Sequence, residues 1–173
     1  LANAPGDLAP APAGYDPGTP SPLIVLLHGY GSSGQGQDRY FGLSEIAHDY
    51  GFVMVAPDGT PEPNERGRRF WNGSDACCHF GPGEIDDVAY LDALIDAVEA
   101  EWSIDPRRIY LFGHSNGGFM SYRMAYERSE RIAAIASLAG ASHAGVREAP
   151  ESPVNILQIH GTADDVIAYA GGE

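Results

Sequence analysis

The sequence has 173 residues, of which 43% are hydrophobic, enough for one domain with a substantial core. Its 24 acidic and 10 basic residues give a net charge of −14. This acidity argues against nucleic acid as a ligand, because phosphates need a basic face, and against binding to anionic membrane surfaces. It is also typical of a solvated surface that keeps a protein soluble. No apolar run approaches the roughly 20 residues of a membrane span.

Residues 1–22 are rich in alanine, proline and glycine and have no periodic pattern. They are predicted to form an irregular lead-in to a single domain over residues 23–173. The chain begins with Leu1 and shows no charged or apolar signal segment, so we expect a processed start from which any signal peptide has been removed.

Five apolar runs predict strands that are buried on both faces. They lie at residues 23–27, 52–56, 109–112, 132–138 and 154–159. The fourth run is alanine-rich and could begin as the end of a helix. Helical segments fall between the runs, one of them ending near Gly51 in a left-handed cap. Alternating strands and helices predict right-handed βαβ units and a parallel sheet covered on both faces, an α/β fold.

The clearest helix is predicted over residues 86–98. Its apolar residues recur at helical spacing on one face; they are Val88, Leu91, Leu94, Ile95, Val98 and Trp102. Glu84, Asp86 and Asp87 crowd its start, where the helix dipole favours anions. This acidic cluster is therefore interpreted as part of a helix N-terminus and not as a metal site.

A long connection over residues 57–83 separates the second strand from this helix, and loops of such length are usually functional or disordered. It contains the only two cysteines, Cys77 and Cys78. A disulfide between neighbours closes a strained ring, so each is expected to pair elsewhere or to stay free. They are either buried thiols, or their partner lies outside these residues.

A nucleophile elbow is predicted at residues 113–117, Gly-His-Ser-Asn-Gly. An apolar strand leads into this G-x-S-x-G pattern and a helix-compatible stretch follows it, as a sharp strand-to-helix turn requires. Gly113 and Gly117 lack the Cβ atoms that would collide at the turn. Ser115 is thus the predicted nucleophile. A similar run at residues 140–144 is rejected, because the sequence behind it predicts no helix.

A serine that attacks a carbonyl group needs hydrogen-bond donors for the developing oxyanion. One predicted donor is the N–H of Asn116, the residue after the nucleophile. The other is the N–H of Tyr30, within the His-Gly-Tyr-Gly segment that ends the first strand at residues 28–31. An ordinary glycine loop at a strand end is the alternative interpretation.

The acid that would orient a catalytic base is predicted in residues 160–165, directly after the last strand. Side chains there emerge at the carboxyl end of the strand, the rim where catalytic groups collect in such sheets. Asp164 is the first choice and Asp165 the reserve, with a turn-forming aspartate pair as the alternative. His160 is expected to hydrogen-bond its own loop.

Several spaced segments resemble the secreted esterase family of poly(3-hydroxybutyrate) depolymerases and feruloyl esterases. They are residues 26–33, 55–60, 70–72, 75–78, 86–88, 113–118 and 158–164. The resemblance covers nearly the whole chain from about Leu23. It implies an α/β-hydrolase fold, a secreted enzyme without metal or organic cofactor, and a carboxylic-ester or polyester substrate, with which the acidic composition is compatible.

By the same resemblance, Ser115 is the nucleophile of an acyl-enzyme mechanism, Asp164 is the acid, and Tyr30 and Asn116 are the oxyanion donors. Phe70 and Trp71 are predicted to form an aromatic wall of the substrate pocket, with core packing of the long loop as the alternative. A polyhydroxyalkanoate, a feruloylated sugar, an acetylated xylan and a synthetic polyester all remain open as the ester.

Members of that family place a histidine beyond the acid, after one more strand, and this sequence stops at Glu173. We therefore expect the base to lie outside the six histidines, with His143 as the only internal fallback. The domain is then expected to require the rest of its own chain, carrying a last strand, a helix and a histidine-bearing loop. At least one of Cys77 and Cys78 is expected to bond a cysteine beyond Glu173.

Two rival functions follow from the same observations. A non-catalytic binding module would keep the fold after losing the base, and a peptidase of this fold would cleave amides.

Overall fold

The computed structural model describes residues 14–63, 67–78, 85–142 and 149–171. Its centre is a sheet of five strands in the order β2-β1-β5-β6-β7, in which every neighbouring pair is parallel. These strands are β1 (Ser21–Leu27), β2 (Val53–Val55), β5 (Ile104–His114), β6 (Ala134–Leu138) and β7 (Asn155–Ile159). A separate antiparallel pair consists of β3 (Thr60–Pro61) and β4 (Arg69–Phe70).

Four helices complete the described residues, and they cover both faces of the sheet. They are α1 (Gly34–Phe41), α2 (Leu43–Tyr50), α3 (Asp87–Glu101) and α4 (Asn116–Glu127). Successive residues of β1 point to opposite faces: Leu23 and Val25 belong to a core shared with α3 and α4, whereas Leu26 belongs to a core shared with α1 and α2. The predicted parallel α/β-hydrolase architecture is confirmed.

The ends of the predicted helices follow from local capping. Gly51 ends α2 with a left-handed φ of 66° and donates its N–H to carbonyls of the last turn. Asp86 caps α3 by accepting a hydrogen bond from Ala89 N at 2.9 Å. The apolar face of α3 is buried as its spacing predicts: Val88, Leu91, Leu94, Ile95 and Val98. Glu84 lies outside the described residues.

The sequence did not predict α1, although two capping residues mark it. Ser33 caps its start by accepting a hydrogen bond from Gly36 N, and Gly42 ends it with a φ of 69°. These are ordinary start and stop signals. Because only Gly34 and Gln37 of α1 are buried, the helix has no apolar stripe that a periodicity search would detect.

The described part of the lead-in, residues 14–20, has no helix or strand but packs against the domain. Within its described part, the Tyr15 hydroxyl accepts a hydrogen bond from Ser103 N, and the Tyr15 ring packs edge-on against Trp102 at 5.1 Å between centroids. The sheet itself begins at Ser21, two residues before the predicted start. Residues 1–13 lie outside the described part.

At one edge of the sheet, all five residues of β7 are exposed.

Among the described residues, no helix is both long and apolar enough to cross a membrane.

Candidate active site

Ser115 lies in the turn between β5 and α4, with a φ of 51° and a ψ of −117°. Such a positive φ is rare for a residue with a side chain and is tolerated only where the surrounding structure enforces it. The backbone enforces it here: Ser115 N donates to Leu138 O at 2.8 Å, and Ser115 O accepts from Gly118 N and Phe119 N at 2.8 and 3.1 Å. This is the geometry of a nucleophile elbow.

The two glycines of the elbow are required by close backbone contacts. A Cβ on Gly113 would lie 2.0 Å from Gly117 O, and one on Gly117 would lie 2.3 Å from Leu27 O. Neither position therefore has room for a side chain. Gly140, the first residue of the rejected copy, packs directly against Gly118 of α4.

Asn116 begins α4, and its backbone and side chain serve different purposes. The N–H groups in the first turn of a helix have no acceptor within the helix, so the Asn116 N–H can serve an oxyanion. The side chain is fully buried. Its Oδ1 accepts from Trp71 N at 2.7 Å and its Nδ2 donates to Trp71 O at 2.8 Å, which fastens the loop after β4 to the elbow.

The N–H of Tyr30, the second predicted oxyanion donor, is oriented through the buried side chain of His28. Nδ1 of His28 is 2.8 Å from Gly29 O, and Nε2 accepts from Gly59 N at 2.8 Å. Because Gly59 N–H can only donate, Nδ1 carries the proton and donates to Gly29 O. The Gly29 carbonyl shares a planar peptide with the N–H of Tyr30, so this bond fixes the direction of the Tyr30 N–H. Burial lowers the pKa of His28 and favours the neutral ring.

Gln37 of α1, which the sequence analysis did not single out, supports the same loop. Its side chain is buried, and Oε1 accepts from Gly29 N at 3.1 Å. A Cβ placed on Gly29 would lie 3.5 Å from Ser115 Cβ. The backbone at Gly29 therefore lies within about one methyl group of Ser115.

Asp164 follows β7, and backbone N–H groups hold it in its ionised form. Its Oδ1 accepts from Val166 N and Ile167 N, each at 2.9 Å. The Ile167 N–H, followed by that of Val166, lowers the pKa of Asp164. Asp165 is exposed. Burial lowers the pKa of His114, next to Ser115, and the charge of Asp164 opposes that shift.

A cavity of about 320 Å³ opens beside the nucleophile. Its walls come from the oxyanion loop, α1 and the elbow, namely Gly29, Tyr30, Ser32, Gly36, Gln37, Tyr40, His114 and Ser115. The cavity thus joins Ser115 to the loop that carries one of its oxyanion donors. No group of three or more His, Cys, Asp or Glu side chains that could hold a metal ion exists within the described ranges.

Residues 16–173 match the family described as phospholipase/carboxylesterase. The chain belongs to this carboxylesterase family. Feruloyl esterase C of Emericella nidulans is 31% identical over 167 residues, covering 93% of this chain and 55% of that protein. The bifunctional acetylxylan esterase/xylanase XynS20E of Neocallimastix patriciarum is 31% identical over 166 residues, covering 96% of this chain and 21% of that protein.

The crystal structure of esterase PE8 superposes with a TM-score of 0.69 at 26% identity, covering 94% of this chain and 76% of that one. Against the curated relatives, this carboxylesterase chain spans about half the length of feruloyl esterase C and about a fifth of XynS20E.

At the candidate site, no histidine hydrogen-bonds the Ser115 hydroxyl among the described residues. His160 lies nearest to the acid, with Nε2 3.4 Å from Asp164 Oδ2. Its Nε2 is also 2.7 Å from Ile167 O, and Nδ1 is 3.0 Å from Gln158 Nε2. His160 therefore hydrogen-bonds its own loop and the neighbouring strand, as the sequence predicts. His79 and His143 lie outside the described residues.

The sequence predicts that Phe70 and Trp71 form a wall of the substrate pocket. In the structure, neither residue lines the cavity beside Ser115. Phe70 is 1% exposed and Trp71 is fully buried. Trp71 Nε1 donates to His28 O at 3.1 Å, and its ring stacks near Tyr90. Both side chains pack in the interior. This is the alternative interpretation of the sequence, in which the two aromatic residues form the core of the long loop.

The expected pairing of the cysteines is wrong. Cys77 and Cys78 form a disulfide with each other. A positive φ of 78° at Cys78 accompanies this pairing of neighbours. Asn116 Nδ2 lies 3.6 Å from Cys77 Sγ, so the disulfide packs against the residue that follows the nucleophile.

Proposed function

We propose that this chain provides the nucleophile, the oxyanion hole and the acid of a serine carboxylic-ester hydrolase. The observation that carries the proposal is the strained turn at Ser115, which touches the loop whose Tyr30 N–H is oriented by His28. Membership of the carboxylesterase family and the likeness to esterase PE8 support it.

In the proposed reaction, Ser115 Oγ attacks the ester carbonyl carbon and its proton passes to a base. The carbonyl oxygen becomes an oxyanion and accepts hydrogen bonds from the N–H groups of Tyr30 and Asn116. Each such donor contributes roughly 3 kcal/mol to the stability of the transition state. The alcohol leaves with the proton, and water then releases the acid from the acyl-enzyme by the same steps.

Asp164 serves in this scheme by orienting the base and stabilising its charged form. Its Oδ1 is occupied by two backbone N–H groups, so Oδ2 is the oxygen assigned to this role. The proposal assigns the base to neither His28 nor His160. Both ring nitrogens of each already have partners.

For the substrate, we propose an aryl or acyl ester or a polyester. The similarity to feruloyl esterase C supports an aryl ester, and the motif resemblance supports a polyhydroxyalkanoate. We also propose secretion, which the Cys77–Cys78 disulfide supports because such bonds persist in oxidising compartments. Alkylation of the native protein without reductant should then leave both cysteines unmodified.

The test of the proposal is Ser115→Ala, with Ser142→Ala as a matched control. Ser142 occupies the rejected Gly-Ala-Ser-His-Ala run and does not line the cavity. We expect Ser115→Ala to abolish p-nitrophenyl ester hydrolysis and labelling by a fluorophosphonate, and Ser142→Ala to retain both. Hydrolysis near the wild-type rate in Ser115→Ala would contradict a serine mechanism.

A non-catalytic binding module is the second candidate, favoured by the lack of a histidine on the Ser115 hydroxyl among the described residues. It predicts that the wild-type protein, too, turns over no ester and takes no label.

A further inference from the structure

The side-chain amide of Gln37 uses its oxygen in hydrogen bonds, whereas its nitrogen has no protein partner among the described residues. Its Oε1 accepts from Gly29 N and lies 3.3 Å from His114 Nδ1. Because a backbone N–H can only donate, the atom facing Gly29 is the amide oxygen, and Nε2 with its two N–H groups is at the other end. Within the described residues, that Nε2 makes no hydrogen bond.

Gln37 is nevertheless almost completely buried, with 3% of its surface exposed. Nε2 itself is not among the buried polar atoms that lack a partner in the described part of the chain, so its N–H groups reach solvent. Gln37 lines the cavity beside Ser115. A group that enters this cavity and displaces solvent from Nε2 must offer an acceptor in its place, because an amide donor buried without an acceptor is unfavourable.

The remaining walls define what can enter. Ser32 adds a polar side chain, and the ring of Tyr40 stacks on that of His114 at 5.9 Å between centroids. Tyr40 is 71% exposed, which leaves much of its surface available for an incoming group. At about 320 Å³ the cavity is at the small end of ligand sites, so it holds one group of modest size.

We propose that this cavity is a substrate subsite in which Gln37 Nε2 donates a hydrogen bond to an oxygen beside the scissile ester. The chemistry recognised is a neutral acceptor oxygen, such as a hydroxyl, an alkoxy group or a second ester carbonyl. The oxygen can belong to the acyl part, as in a 3-hydroxyacyl unit, or to the alcohol part, as in a sugar. This inference rests on the proposed ester hydrolysis.

The test compares esters that differ by one oxygen, in two arms. The acyl arm pairs p-nitrophenyl butanoate with p-nitrophenyl 3-hydroxybutanoate, and the alcohol arm pairs propyl butanoate with 2-hydroxyethyl butanoate. In one arm, wild-type kcat/KM should favour the oxygen-bearing ester by about fivefold to tenfold, the effect of one hydrogen bond. That arm identifies the side of the ester that occupies the cavity.

Gln37→Met should reduce this preference to within about twofold, because it removes the donor and keeps the length. Gln37→Glu should do the same while still offering an oxygen to Gly29 N. The ratio of kcat/KM for the two esters separates recognition of the oxygen from a general loss of rate, because a disturbed oxyanion loop lowers kcat/KM equally for both esters. Gln35→Met is the matched control: Gln35 is exposed on the same helix and should keep the wild-type ratio.

Two results would overturn the proposed subsite without contradicting the proposed ester hydrolysis. One is a wild-type enzyme that hydrolyses both members of each pair without preference, and the other is a preference that survives in Gln37→Met and Gln37→Glu. If the wild type hydrolyses none of the four esters, the proposed function itself fails, and the subsite fails with it.

Discussion

Asn116 offers the sharpest test of how the site is built, because its side chain has no proposed role in chemistry. In Asn116→Ala the backbone N–H that we propose as an oxyanion donor remains, whereas the two bonds to Trp71 are lost. Trp71 is fully buried, so water cannot readily replace the missing amide.

The expected loss of stability follows from counting the groups left behind. Trp71 N loses its acceptor, and an unsatisfied buried N–H costs about 1–3 kcal/mol. Trp71 O also accepts from Gly73 N at 2.9 Å, so it loses one of two bonds, worth about 0.5–1.5 kcal/mol. The free energy of unfolding should therefore fall by about 2–4 kcal/mol, and Tm by roughly 6–12 °C for a chain of this size.

The measurement is urea unfolding followed by circular dichroism, because Trp71 fluorescence would itself respond to the substitution. Ser121→Ala is the control: Ser121 is equally buried on α4, and its hydroxyl donates only to Gly117 O at 2.9 Å. That carbonyl keeps its helical partner, so the control should lose less than about 1 kcal/mol. A loss below 1 kcal/mol in Asn116→Ala as well would refute the clamp between Asn116 and the Trp71 loop.

Two further predictions concern the elbow and a buried acid. Gly117→Ala should destabilise the fold by about 3 kcal/mol or more, since its Cβ would lie 2.3 Å from Leu27 O. Gly161→Ala, whose added Cβ would meet nothing within 4 Å, should be nearly neutral in the same urea unfolding measurement, and equal losses would contradict the steric argument. Burial raises the pKa of Asp87 above its ordinary 3.8, so the folded state binds its proton more tightly than the unfolded chain does. Stability relative to Asp87→Asn should then fall as pH rises above about 4 in urea melts, and a relative gain over that range would contradict it.

The sequence predicts the parts of this protein that depend on local patterns. The strand before Ser115, the two glycines around it and the helix behind it all lie within about fifteen consecutive residues, and the structure forms the turn they predict. The capped ends of α2 and α3 are equally local. In each case the residues that signal the structure lie a few positions apart in the sequence.

The features that the sequence predicts wrongly, or does not predict, depend on contacts between residues far apart in the chain. Trp71 is in the core because Asn116, 45 positions away, binds its backbone. Gln37 gains its role from Gly29 and from His114, which is 77 positions away. The disulfide required a positive φ at Cys78, a backbone state that residue type alone disfavours. None of these could be read from spacing along the chain.

The strand order explains why the predicted residues converge. Ser115 ends β5, the oxyanion loop ends its neighbour β1, and Asp164 follows β7, with β6 between β5 and β7. The ends on the acid side are joined by backbone bonds, from Ser115 N to Leu138 O and from Ala139 N to Ile159 O, each 2.8 Å. Two strand spacings put β7 about 10 Å from β5, too far for a carboxylate to hydrogen-bond the serine directly. Asp164 can therefore act on Ser115 only through a group between them, and an imidazole with one hydrogen bond at each nitrogen spans such a gap. Parallel pairing in this order thus leaves the width of one imidazole between Asp164 and Ser115, as the proposed mechanism requires, and puts the loop of Tyr30 on the opposite side of Ser115.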